Sequence, residues 1–335
     1  MPQPLVSIVI PFKNTAQYLK ECIQSICDQT YLNFEVLAVD DHSTDKSYAI
    51  VDSFVAIDER IQVFKNNGTG IIAALQLAYS KAKGALITRM DSDDIMTPSK
   101  LEVMVKSLQK HGKGHIAIGL VNYFSEKGLN DGYRKYGEWL NQLTKNGTNY
   151  TEIYKECVVP SPCWMVYRTD FDACNGFNSN IYPEDYDLAF RFYKQQLKCI
   201  PCDEILHYWR DYDTRTSRTS AHYANNSFLT LKIFYFLALE HHKNKTIVIW
   251  GAGNKGKDIA KKLIAKQLSF KWVCNNPKKI GKHIYDKQMQ AYQKIAEIDQ
   301  IQVIITVANP EEQLFIKKYF SKLKLKANID YFFFC

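Results

Sequence analysis

The chain has no apolar run long enough to cross a bilayer, which argues against an integral membrane protein. Its best candidate, residues 228–239, is short and carries Lys232. That segment reads as a packed helix between domains or as one resting on a membrane surface. Cysteine occurs nine times, an odd number scattered without a framework, so no disulfide scaffold is expected and the thiols read as reduced, in a cytoplasmic protein. Cys199 and Cys202 have redox spacing but lie in a strand-like run; they read as two ordinary thiols, with a redox pair or zinc half-site as the alternative. No signal peptide is expected, because Met1-Pro2-Gln3-Pro4 leads straight into a strand. No internal repeat is visible, and 46% hydrophobic with 23% charged residues leaves no room for long disorder. Acidic residues become scarce at one end. From His241 onward 18 lysines face 7 Asp or Glu, whereas the first 240 residues hold 25 basic and 28 acidic side chains. Over 335 residues this asymmetry predicts two domains with different partners. The terminal lysines read as a solvated surface or as a contact for an anionic membrane or ligand, and no nucleic-acid partner is expected.

What the chain does have is alternation. Val6 to Pro11 is a β-branched run ending in proline, followed by helical spacing through Tyr18, Leu19, Cys22, Ile23, Ile26 and Cys27. Strands at 34–39, 61–64 and 85–88 follow, with helices starting near Ser43-Thr44-Asp45, Ile71 and Thr97-Pro98. This order predicts an α/β fold with a mostly parallel sheet and helices on both faces, and ligands bind such sheets outside the carboxyl ends of the strands. Between 122 and 157 the pattern loosens into expected loops and a helix over the crevice, before structure resumes at 162–168, 175–177, the Glu184-Asp185 helix and the strand 199–209. A second α/β unit opens with Thr246 to Trp250, the turn Gly251-Ala-Gly-Asn-Lys-Gly256 and a helix from Asp258, then strands at 270–274 and 303–307. Strand, glycine turn and helix in that order suit a Rossmann-like unit. The acidic residue that would hold a ribose after its second strand is replaced by Asn275-Asn276. Nicotinamide binding, another nucleotide, and a turn used only for packing therefore remain as readings. The expected division is 1–225, a linking helix 226–244, and 245–335.

Chemistry concentrates in three acidic sites. Asp91, Asp93 and Asp94 crowd three carboxylates into four residues, which a folded protein tolerates chiefly to hold a cation or a cation-bound ligand. Asp91 and Asp93 suit a divalent cation bridging to a diphosphate, and Asp94 joins the metal or orients the loop. Asp40 and Asp41 close the second strand and can accept hydrogen bonds from a base and a ribose, or cap the next helix. Glu184 and Asp185 can supply a general base, or merely favour the positive end of a helix.

Four segments, Val6-Ser-Ile-Val-Ile-Pro-Phe-Lys-Asn14, Val39-Asp-Asp-His-Ser-Thr-Asp45, Arg89-Met-Asp-Ser-Asp-Asp94 and Glu184-Asp-Tyr-Asp-Leu188, stand in the order of the signatures of family 2 glycosyltransferases with the GT-A fold. The chain resembles that family over about residues 4–220. Pro160-Ser-Pro162 and Gly176-Phe177-Asn178 are similar to its acceptor-side segment. The resemblance implies inverting transfer from a nucleotide sugar, usually a UDP-sugar, with Mn²⁺ or Mg²⁺, to a saccharide or lipid-linked saccharide in cell-surface polysaccharide synthesis. It implies that Asp40 and Asp41 contact the nucleoside, that Asp91 and Asp93 serve the ribose and the metal, and that Asp185 is the base. Pro11, Arg89 and Ser92 would line the nucleotide, with Arg89 near the diphosphate or in a surface ion pair. Two departures stand out. Tyr212 occupies the position two beyond Arg210 where many members carry histidine, and the turn Asn66-Asn-Gly-Thr-Gly70 is unusual. No arginine-bearing glycine loop follows the first strand, which disfavours a sugar nucleotidyltransferase. The remaining alternatives are a non-catalytic nucleotide-sugar-binding module and an NAD-linked activity in the second unit.

Overall fold

The computed structural model describes residues 3–219 and 228–335. It forms two compact units. One comprises the residues up to Tyr150 together with Cys157–Thr219; the other joins Thr151–Glu156 to the described residues from 228 onward. The expected boundary at 225 and the start of the linking helix at 226 lie outside the described residues.

In the first unit, β1 (Val6–Phe12), α1 (Ala16–Cys27), β2 (Phe34–Asp40), α2 (Ser47–Val55), β3 (Ile61–Lys65), α3 (Ile71–Lys81) and β4 (Leu86–Arg89) alternate as the apolar pattern predicts. Then come β5 (Ile95–Met96), α4 (Lys100–His111), β6 (His115–Phe124), α5 (Asp131–Asn146), β7 (Trp164–Tyr167), α6 (Arg168–Ala173), α7 (Glu184–Lys194), β8 (Lys198–Arg210) and α8 (Thr216–Thr219). The sheet order is β3-β2-β1-β4-β7-β6-β8-β5. The four strands β3, β2, β1 and β4 are parallel, whereas β7 runs antiparallel to both its neighbours. β1 and β2 are buried along their whole length, as a strand covered on both faces must be.

The loosened stretch contains more order than its composition suggests. β6 reaches Phe124, and α5 is a 16-residue helix whose Asn130 side chain caps the N–H of Gly132. Gly119 makes His115–Phe124 look interrupted, yet a Cβ there would stand 2.8–2.9 Å from Leu206 and Cys163 side-chain atoms. The glycine marks close packing within a strand, not its end.

The second unit contains α9 (Leu229–Tyr235), β9 (Thr246–Trp250), α10 (Asn254–Ala265), β10 (Phe270–Cys274), β11 (His283–Ile284), β12 (Lys287–Ala291), β13 (Ile301–Ile305), α11 (Pro310–Lys322) and β14 (Tyr331–Phe333). Its sheet runs β11-β12-β10-β9-β13-β14, parallel except for the β11–β12 pair. Gly251 has φ +130, and a Cβ on it would sit 2.3 Å from Thr306 Oγ1; one on Gly256 would sit 2.2 Å from Gly251 O. Gly251 is thus explained by the close approach of Thr306 after β13, and Gly256 by the close approach of α10 to the end of β9. Gly253 faces open space.

Candidate active site

The parallel half of the sheet sets the geometry. β2, β1 and β4 are adjacent, and their carboxyl ends deliver Asp40, Phe12 and Arg89 to one edge. Pro11 is buried in β1 opposite Val39, beyond the last β1–β4 pair at Val9 and Arg89. Asp40 Oδ1 accepts from Ser43 N at 3.0 Å. Asp41 Oδ1 accepts from Asn66 Nδ2 and Gly70 N, each at 2.8 Å, while Lys13 Nζ lies 3.4 Å from Oδ2. Burial opposes the charge of Asp41, but these donors outweigh it and hold its pKa below the usual value. The glycine turn after β3 is therefore the partner of Asp41. Gly70 takes φ +90 to present its N–H.

Arg89 links two of the acidic sites. Its Nε donates to Asp91 Oδ1 and its Nη1 to Glu184 Oε1, both at 2.9 Å. Only 6% of Arg89 is exposed. Burial works against its charge, and the carboxylates of Asp91, Glu184 and Asp185 overcome this and raise its pKa. Glu184 and Asp185 open α7, and Asp185 Oδ1 accepts from Tyr186 N at 2.8 Å. Burial, with the Glu184 charge beside it, pushes the Asp185 carboxyl up to about 7 despite Arg89. Glu184 Oε2 is buried without a hydrogen-bond partner among the described residues.

The three aspartates of the cluster face different ways. Asp93 Oδ2 accepts from the Tyr212 hydroxyl at 2.8 Å, and its carbonyl accepts from Arg210 Nε at 2.7 Å. Burial and the charge of Asp94 raise the Asp93 carboxyl to about 7. Asp94 is fully buried. Its Oδ1 accepts from Arg210 N at 2.8 Å and its Oδ2 lies 2.9 Å from His207 Nε2. Lys100 Nζ, 3.3 Å from His207 Nδ1 and 2.6 Å from Pro162 O, is a donor, so Nδ1 accepts and the ring proton sits on Nε2, facing Asp94. Of the two roles expected for Asp94, the geometry is that of a carboxylate orienting the loop. Ser92 is buried and accepts from Thr15 Oγ1 at 3.1 Å.

Asp91 and Asp93 are each partly exposed and each use one carboxylate oxygen in the bonds above. The charge crowding that raises Asp93 is what a divalent cation would relieve, so this donor set fits one. No preformed group of three metal-ligating side chains exists among the described residues, and remaining ligands would come from a diphosphate or water. Arg215, half-buried with its guanidinium 5.3 Å over the Trp209 ring, adds a positive charge that acts on all three aspartates. The sequence reading gives Arg215, Lys100 and His207 no part in the site, and Asn66 enters it only through the unusual turn. Only the odd turn at 66–70 could have signalled one of them. Cys199 and Cys202 point elsewhere: Cys202 Sγ lies 3.4 Å from Ser107 Oγ, and burial pushes the Cys199 thiol up to about 12.

The family model described as "Glycosyl transferase family 2" matches residues 7–175. Glycosyltransferase GlyG of Streptococcus pneumoniae is 38% identical over 125 residues, a match covering 37% of this chain and 42% of GlyG, so the chain spans less than half of that relative. Among solved structures, S. aureus TarS 1–349 in complex with UDP-GlcNAc superposes with a TM-score of 0.52 at 15% identity, covering 77% of this chain and 71% of that one. The mannosyltransferase PcManGT from Pyrobaculum calidifontis, in complex with GDP-Man and Mn²⁺, gives 0.51 at 16% identity over 78% and 69%. At these identities the structural likeness is one of fold.

Proposed function

Because the chain belongs to glycosyl transferase family 2, we propose that its acidic crevice binds a nucleotide sugar, a UDP-sugar, and passes the sugar with inversion to a saccharide or lipid-linked saccharide hydroxyl. The observation that carries this reading is the Arg89 bridge. Two ion pairs of 2.9 Å tie the Asp91 loop to the Glu184 end of α7, which supports a reading in which diphosphate-binding groups and a proton acceptor act side by side. Asp40 and Asp41, with Pro11 and Ser92, line the nucleoside side. Asp91 and Asp93 would hold Mn²⁺ or Mg²⁺. A cation bound there supplies charge stabilisation to the departing diphosphate.

Asp185 performs the proton step. The acceptor hydroxyl attacks the anomeric carbon from the face opposite the nucleotide, Asp185 takes its proton, and the C–O bond to the diphosphate breaks with its electron pair leaving on UDP. A carboxyl raised to about 7 by burial and Glu184 is matched to that task near neutrality. Arg89 keeps its charge and faces the leaving group's side. Replacing Asp185 by Asn is expected to abolish UDP release while UDP binding, measured by calorimetry, survives; loss of both together refutes the base assignment.

The second unit supports a membrane-surface contact at the cytoplasmic face. On α11, Leu314 and Phe315 are 54% and 42% exposed beside the exposed Lys317, Lys318 and Lys322, a pairing of apolar and cationic groups that suits an anionic lipid surface.

A further inference from the structure

We propose that Tyr212 is a positioning residue that sets the cation affinity of Asp93, an inference that rests on the reading of Asp91 and Asp93 as cation ligands. The exit of β8 grips the acidic loop at three points. Arg210 N holds Asp94 Oδ1 at 2.8 Å, Arg210 Nε holds the Asp93 carbonyl at 2.7 Å, and the Tyr212 hydroxyl holds Asp93 Oδ2 at 2.8 Å. The first two fix Asp94 and the loop backbone. Only the third fixes how the Asp93 carboxylate is turned.

Tyr212 is itself held. Its ring meets Tyr18 of α1 at 4.8 Å between centroids, and the Arg210 guanidinium lies 4.6 Å over the Tyr18 ring while pairing with Glu21. Three pieces of chain distant in sequence, α1, the acidic loop and the β8 exit, thus define where the phenol sits. The phenol hydroxyl is the donor of this bond and the carboxylate oxygen its acceptor. A charge-assisted bond to one carboxylate oxygen restricts the rotation of the group and presents the other oxygen in one direction. A ligand oriented before the cation arrives loses less side-chain freedom on binding it.

Tyr212→Phe removes the hydroxyl and keeps the ring against Tyr18. Free Mn²⁺, followed by its EPR signal with UDP and GDP run in parallel, is expected to report about tenfold weaker cation binding in this variant. Nucleotide affinity in EDTA and the melting temperature are expected to stay as they were. Unchanged Mn²⁺ binding in Tyr212→Phe, with binding lost in Asp93→Ala, overturns this inference alone. Unchanged Mn²⁺ binding in Asp93→Ala overturns the cation reading and this inference with it. A parallel loss of metal-free nucleotide affinity or of melting temperature in Tyr212→Phe makes its role merely structural and also refutes the proposal.

Discussion

Asp185, the proposed base, stands under two opposed influences. Burial and Glu184 favour its neutral form, while Arg89 favours the ionised one. A raised carboxyl pKa means that the base is protonated below about 7 and competent above it. Transfer is therefore expected to rise with pH through that value and level off, as read from the pH profile of kcat. Glu184→Gln removes the nearest like charge, so the rise should move to lower pH; a shift to higher pH would contradict the electrostatic account. Acidic residue types were legible in the sequence because three carboxylates in four positions need a reason. Their individual duties were not. The sequence left Asp94 either to join the metal or to orient the loop, and His207 and Arg210, more than a hundred residues away, take its two oxygens. Lys100, near the start of α4, is fully buried against Pro162 O and His207.

Among elements, the clearest reading came where periodicity and length agreed. The alternation from β1 to β4 and the start of α7 follow from apolar spacing and turn residues. β6 escaped because Gly119 broke an apolar run whose glycine answers to a packing contact across the sheet. The turn Gly251–Gly256 is similar in kind: Gly251 is required by contact with Thr306 after β13, and Gly256 by contact of α10 with Gly251 O. Gly256→Ala would force a Cβ against Gly251 O, and is expected to destabilise the second unit by about 1–3 kcal/mol. Scanning calorimetry should show that loss, with UDP binding retained; an unchanged transition would mean the helix can shift at no cost.

Across the whole molecule, both fold and charge divide the chain in two. Part of the terminal lysine surplus, Lys317, Lys318 and Lys322, is exposed on the same helix as exposed Leu314 and Phe315. Among the described residues no helix is long and apolar enough to cross a membrane. Co-sedimentation is expected with vesicles containing phosphatidylglycerol but not with phosphatidylcholine alone, to weaken with salt, and to be lost in Leu314→Glu. Binding that ignores lipid charge would refute the electrostatic part. The family, the α/β alternation and the acidic residue types were determined by the sequence itself, because periodicity and clustered like charges are local properties of a chain. Which partners each carboxylate has, and so which of the proposed duties it suits, was decided only by tertiary structure. Those duties depend on burial and on partners such as Arg89, His207, Arg210 and Tyr212, which local sequence does not bring together.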